Sequence, residues 1–166
     1  MIKERFSEVT FATLPPLRVA RFRAVSRTPE DDALKVLSQW AAEAGLRDMP
    51  RNFGFDVPIS AQQTEAGLRA YELWFVVPEG VWPSGPVKLR DFPGGRFAAL
   101  TIHHPFDDPF AYIPQGWGLL HEWVVNHHVA ARGETLCLEE VVEREGGQDM
   151  ILYLSLIHIS EPTRPY

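Results

Sequence analysis

The sequence predicts an α+β fold: duplicated strand-strand-helix-strand-strand units, a largely antiparallel sheet, two helices on one face and a ligand groove on the other. Three observations predict it. Segments of the first half recur in order in the second half, the strand candidates alternate with a period of two, and each half carries a single helical pattern between short turns. The recurring pairs are Leu14-Pro-Pro-Leu-Arg-Val-Ala20 with Phe92-Pro-Gly-Gly-Arg-Phe-Ala98, offset 78 (14 to 92), and Val36-Leu-Ser-Gln-Trp40 with Leu119-Leu-His-Glu-Trp123, offset 83 (36 to 119). The third pair is Tyr71-Glu-Leu-Trp-Phe-Val-Val77 with Gln148-Asp-Met-Ile-Leu-Tyr-Leu154, offset 77 (71 to 148). The offset grows before the helix and shrinks after it, as changes in loop length would produce.

Taken in order, Glu8 to Leu14 is rich in β-formers and stops at Pro15-Pro16. Arg18 to Val25 alternates, with Val19, Arg21 and Arg23 on one side and Ala20, Phe22 and Ala24 on the other. Thr28-Pro29-Glu30-Asp31 opens a helix: a capping Thr, a Pro at the first position, then acids that suit the positive end of the dipole. Ala33, Val36, Leu37, Trp40, Ala41 and Ala44 give its apolar stripe and Gly45 ends it. Phe53–Val57 and Tyr71–Val77 are the next strands. The second half repeats the pattern with Val87–Phe92, a Pro93-Gly94-Gly95 turn, Arg96–His103, a helix from about Pro114 to Val129, then Leu136–Val142 and Met150–Leu154. We read residues 1–154 as one domain with pseudo-repeats at about 8–78 and 86–154. The final string LSLIHISEPTRPY resembles the conceptual translation of a sequencing-library transposase adapter, so residues 155–166 are expected to be read-through, with the last strand cut short near Leu154.

Composition narrows the function classes. The 166 residues carry 16 Lys+Arg against 22 Asp+Glu, a formal charge of −6, and 45% are apolar. This is globular composition. An acidic balance lacks the basic face that releases counterions from DNA, so no direct nucleic-acid partner is expected. One cysteine, Cys137, forms no internal disulfide framework. No apolar run is long enough for a bilayer span and the first residues hold no signal-peptide core, so no membrane partner and a cytoplasmic location are expected. His103-His104 and His127-His128 lack the spacing of a zinc helix, and there is no glycine-rich loop opening a helix and no Gly-x-Ser-x-Gly elbow, so neither metal nor cofactor is expected.

The strand Tyr71-Glu72-Leu73-Trp74-Phe75-Val76-Val77 carries the chemistry. Its odd-numbered residues make an apolar face suited to packing under a helix. Its other face sets Glu72 beside Trp74, which is costly unless something cationic or hydrogen-bonding meets the acid. An acid against aromatic walls suits an amphipathic, cationic, aromatic ligand. Candidate ligand-binding residues are Glu72, Trp74, Phe55, Trp117 and Tyr112; Trp40 and Trp123 are matched repeat positions and read as core. Glu139 and Glu140 alternate faces, so one of them could enter the groove, with solvation as the default for both. No catalytic pair is fixed by spacing. Were the chain a hydrolase, Glu72 would work with Tyr71 or Tyr112 as acid.

Residues 8–154 resemble the GyrI-like small-molecule-binding domain, the effector-binding domain of AraC-type and multidrug-responsive transcription regulators. The resemblance rests on Leu14-Pro-Pro-Leu-Arg-Val-Ala20, Phe53-Gly-Phe55, Tyr71-Glu-Leu-Trp74 with Val77-Pro-Glu79, Phe92-Pro-Gly-Gly-Arg-Phe-Ala98 and Trp117-Gly-Leu-Leu-His-Glu-Trp123. It implies a duplicated α+β fold with a central groove, Glu72 at the ligand-facing acidic position, and binding of amphipathic or cationic compounds for sensing or sequestration. It also implies an alternative, hydrolysis of electrophilic cyclopropane-type toxins in the same groove. Only Met1 to Ser7 precede the first strand, too few for a DNA-binding module, so the chain is expected to be either a stand-alone binder or a fragment missing its N-terminus, with Met1 favouring the stand-alone form. A third option is a protein–protein modulator, such as an inhibitor of a topoisomerase partner.

Overall fold

The computed structural model describes residues 4–129 and 136–156. In chain order the elements are β1 (Thr10–Leu14), β2 (Leu17–Ser26), α1 (Pro29–Glu43), β3 (Asn52–Val57), α2 (Ala61–Glu65), β4 (Arg69–Val76), β5 (Lys88–Phe92) and β6 (Gly95–His103). A short 3-10 turn at Pro105–Asp107 leads to α3 (Pro109–Asn126), β7 (Cys137–Arg144) and β8 (Gly147–Ser155). The fold is mixed α+β, with eight strands among the described residues that pair antiparallel. Two compact units result: one of Met1–Pro15, Gly94–Cys137 and Val142–Tyr166, the other of Pro16–Pro93 and Leu138–Val141. These units cut across the sequence halves, because the first strand of each half pairs outside its own half. β1 lies on β6 with Leu14 opposite Gly95, and β5 lies on β2 with Phe92 opposite Leu17. The positions 14 and 92, and 17 and 95, are equivalent in the internal repeat, so the two pairings are equivalent as well.

In the second unit β3, β4, β2 and β5 lie side by side, and β7 joins through Gly54 opposite Glu139. α1 packs its Ala33, Leu37, Trp40 and Ala41 on Ala20 and Ala24 of β2 and on Tyr71, Leu73 and Phe75 of β4. The period-two reading of β4 therefore holds: its odd-numbered face is the helix-covered core. Pro29 starts α1, with Glu30, Asp31 and Asp32 in its first turn, but the Thr28 side chain makes no capping bond. Thr28 Oγ1 instead lies 3.5 Å from Asp32 Oδ1. One glycine shapes this core. A Cβ on Gly54 would lie 2.1 Å from the Tyr71 hydroxyl, so the phenol ring lies over bare β3 backbone. The five-residue α2 was not among the expected elements. Its signature is present as Ser60-Ala-Gln-Gln63, a reciprocal capping box in which Gln63 N–H donates to Ser60 Oγ at 3.1 Å and Ser60 N–H to Gln63 Oε1 at 3.0 Å.

In the first unit β1, β6 and β8 lie side by side, and α3 packs on β6 and β8 through Gly116, Leu120 and Val124. The helix starts at Pro109, not Pro114, and carries Pro114 inside it. Both prolines can open a helix, and the earlier one does so here; the second, lacking an N–H, leaves out one backbone bond of the helix. β8 runs to Ser155, which pairs with Phe97, and the Leu156 N–H donates to the Arg96 carbonyl at 2.9 Å. Most of the expected adapter-like tail, residues 157–166, lies outside the described residues. Among the described residues no helix is long and apolar enough to cross a membrane.

On α1, Leu37 is fully buried while Leu34, one turn earlier, is 40% exposed. Leu37→Ala should lower the unfolding free energy by about 2–5 kcal/mol, and Leu34→Ala by less than about 1 kcal/mol. Urea unfolding of the two variants checks the orientation of the helix; equal losses would refute it.

Candidate functional site

The even-numbered face of β4 is where the sequence places an acid among aromatics. β2 is paired to β4 so that Arg21 lies opposite Trp74 and Arg23 opposite Glu72, while β3 sets Phe53 opposite Trp74 and Phe55 opposite Glu72. β5 adds Phe92 and Arg90 on the same side. Glu72 is 0% exposed. A carboxylate so placed needs charge and hydrogen bonds to replace water. It has both. Arg21 Nη1 donates to Glu72 Oε1 at 3.1 Å, and Arg23 donates to the same oxygen through Nε at 3.1 Å and Nη2 at 2.9 Å. The indole N–H of Trp74 donates to Oε2 at 2.6 Å, and Arg90 Nη1 stands 4.0 Å from that oxygen.

The aromatic surround is dense. Phe55 meets Trp74 edge to face at 5.3 Å, Phe92 lies 5.3 Å from the indole at a tilt, and the Arg90 guanidinium sits 5.3 Å over it. Trp74 and Phe53 are buried; Phe55 is half-buried. Glu72, Trp74 and Phe55 thus converge, with Phe55 the most accessible of the three. Trp74 presents little surface of its own.

The remaining candidates belong to other elements. Tyr112 and Trp117 belong to α3 in the first unit, where the Arg5 guanidinium lies 4.0 Å from the Tyr112 ring centre and Trp117 lies 6.2 Å from the His121 ring. Trp40 is core, and Trp123 stacks on His127 at 4.2 Å and meets Phe11 edge-on at 5.5 Å. Tyr71 and Glu72 point to opposite faces of β4. The Tyr71 hydroxyl bonds Glu139 Oε1 at 3.0 Å on the helix side, so Tyr71 and Glu72 are not brought together as an acid–base pair. Burial, then the neighbouring Glu139 carboxylate, push the Tyr71 phenol well above its usual range. Glu140 is not solvated, contrary to expectation: it is buried and takes a forked contact from Arg51 at 2.7 and 3.2 Å. The arginines Arg21, Arg23 and Arg90 were missed as site residues. The alternation of β2 put Arg21 and Arg23 on one side, but only the register of β2 on β4 shows that this side holds Glu72.

The fold defines a class of α+β domain, and the comparisons with known proteins say which family it is. The chain belongs to the GyrI-like small molecule binding domain family, whose model matches residues 7–149. Among solved structures it is similar to a hydrolase from Listeria innocua, with 12% identity, a TM-score of 0.58, and 90% of this chain and 91% of that one covered. It is similar to SAV2435 bound to tetraphenylphosphonium, with 9% identity, a TM-score of 0.54, and 90% and 94% covered. It is also similar to EcmrR in a DNA complex, with 10% identity, a TM-score of 0.66, and 92% of this chain against 57% of that one. At these identities the likeness is one of fold. No curated protein matches the chain.

Two outcomes are expected. Above the usual phenol pKa of about 10 the unfolded chain loses the Tyr71 proton while the folded chain keeps it, so stability falls as pH rises through that window. Tyr71→Phe should flatten this alkaline decline in unfolding free energy; an unchanged slope would count against the buried phenol. Glu72→Gln should cost about 1–3 kcal/mol in denaturant unfolding, since charge-assisted bonds are lost while the part-exposed arginines regain water.

Proposed function

We propose that the chain binds an amphipathic aromatic small molecule at the Glu72–Trp74 face of its second unit, either sensing or sequestering it. The observation that carries this reading is the buried Glu72 carboxylate held by an indole N–H and two guanidinium groups amid Phe55 and Phe92. Stability alone gives little reason for it. A buried ionic cluster is often no better than apolar residues of the same volume, so its presence on a face that also holds the part-exposed Phe55 favours recognition. Membership of a small-molecule binding family supports the same reading.

The geometry weighs against direct pairing of a cation with Glu72. A cationic ligand would first have to displace Arg21 and Arg23, whose contacts at 3.1 and 2.9 Å occupy the carboxylate. It also favours binding over hydrolysis. Both oxygens of Glu72 already accept hydrogen bonds from the protein, and the nearest phenol in sequence, Tyr71, faces the other way.

Titration of the protein with neutral naphthalene-2-methanol, followed by tryptophan fluorescence, tests this. Phe55→Ala should weaken binding about fivefold or more. Phe110→Ala, at a side chain 87% exposed on α3, should leave it unchanged. Equal effects of both variants, or none from Phe55→Ala, would move the site away from this face.

A further inference from the structure

The charges around Glu72 do not balance. One carboxylate, fully buried, faces Arg21 and Arg23 in contact and Arg90 at 4.0 Å, three guanidinium groups whose side chains are 35%, 48% and 47% exposed. Lys88 lies directly opposite Arg21 in the β2–β5 ladder, hence on the same face. Like charges directly opposite across two strands are destabilising. Basic residues on an edge strand are a common guard against stray pairing, and that accounts for Lys88 and Arg90 on β5. It does not account for Arg21, which sits on β2 between β4 and β5; Arg23 lies past the end of the β5 ladder but turns onto the buried Glu72. The other ion pair of this face, Arg51 with Glu140, is internally neutral. Among the described residues the cluster therefore holds an excess of positive charge, in a chain whose formal charge is −6.

We propose that the ligand taken at this face is an aromatic anion: a planar apolar body that carries one carboxylate or sulfonate. This rests on the binding reading above and gives the ligand its charge. In this arrangement Glu72 is not the ligand's counter-ion. It fixes the guanidinium planes of Arg21 and Arg23 from beneath, through one shared oxygen, and leaves their remaining N–H groups directed elsewhere. Guanidinium groups held this way suit a forked contact with an oxyanion. Arg90 stands over Trp74 and beyond hydrogen-bond distance of Glu72, so it can turn to the anion without uncovering the carboxylate. Phe55, half-buried beside Trp74, meets the ring of the ligand.

Three probes of one shape and different charge test the inference: naphthalene-2-sulfonate, neutral naphthalene-2-methanol and naphthalen-2-ylmethyl-trimethylammonium, titrated calorimetrically at low salt. The sulfonate should bind about tenfold more tightly than the alcohol, and the ammonium more weakly than either. Added salt should narrow the difference. Arg90→Gln, on an exposed edge position, should weaken the sulfonate about fivefold and leave the alcohol within about twofold. A sulfonate that binds no better than the alcohol overturns the charge assignment while the binding reading stands. A sulfonate preference untouched by Arg90→Gln overturns its assignment to this cluster. Failure of all three probes overturns the binding reading and the charge inference with it.

Discussion

Glu72 sits in an interior strand with none of its surface open to water, and such a carboxylate destabilises a fold by several kcal/mol unless charge and hydrogen bonds replace its hydration. The neighbourhood is arranged around that requirement. β2 must lie against β4 in the register that brings Arg23 opposite Glu72 and Arg21 opposite Trp74. A slip of one residue would turn both arginines to the helix side and leave the acid bare. The indole of Trp74 can supply its N–H only because it lies two residues along the same face. The arginines in turn bring more positive charge than one acid absorbs, so satisfying a buried anion creates a surface suited to a second one.

The opposite face of the same strand obeys a different constraint. Tyr71, Leu73 and Phe75 must fill the space under α1 at close-packed density. The Tyr71 ring fits because Gly54 has no side chain, and its hydroxyl meets Glu139 of β7. β4 thus separates an apolar, helix-covered layer from a charged, aromatic layer across the thickness of one strand. Gly116 has the same role in the first unit: a Cβ there would lie 2.8 Å from Ile102, so the missing side chain lets α3 approach β6.

Much of this was legible in the sequence. The internal repeat, the single helical pattern in each half and period-two alternation give the fold class, and alternation, a local geometric consequence of the extended backbone, gives the split of β4 into two faces. The place of Glu72 beside Trp74 follows from the same rule. Family membership was carried by motifs spread along the chain and is matched by the family model over residues 7–149. Helix bounds were less legible: Pro109 and Pro114 can both open α3, and the residue types do not say that the first one does.

What the sequence could not decide is which strand meets which. The exchange of β1 and β5 between the halves, the setting of Arg21, Arg23 and Arg90 on Glu72, and the pairing of Arg51 with Glu140 all join residues tens of positions apart. Hydrophobic periodicity fixes the side to which a residue points, but it does not say what stands opposite. That is set by the register between strands, a property of the whole packed chain, and it made Glu72 the anchor of a basic cluster instead of an open acid.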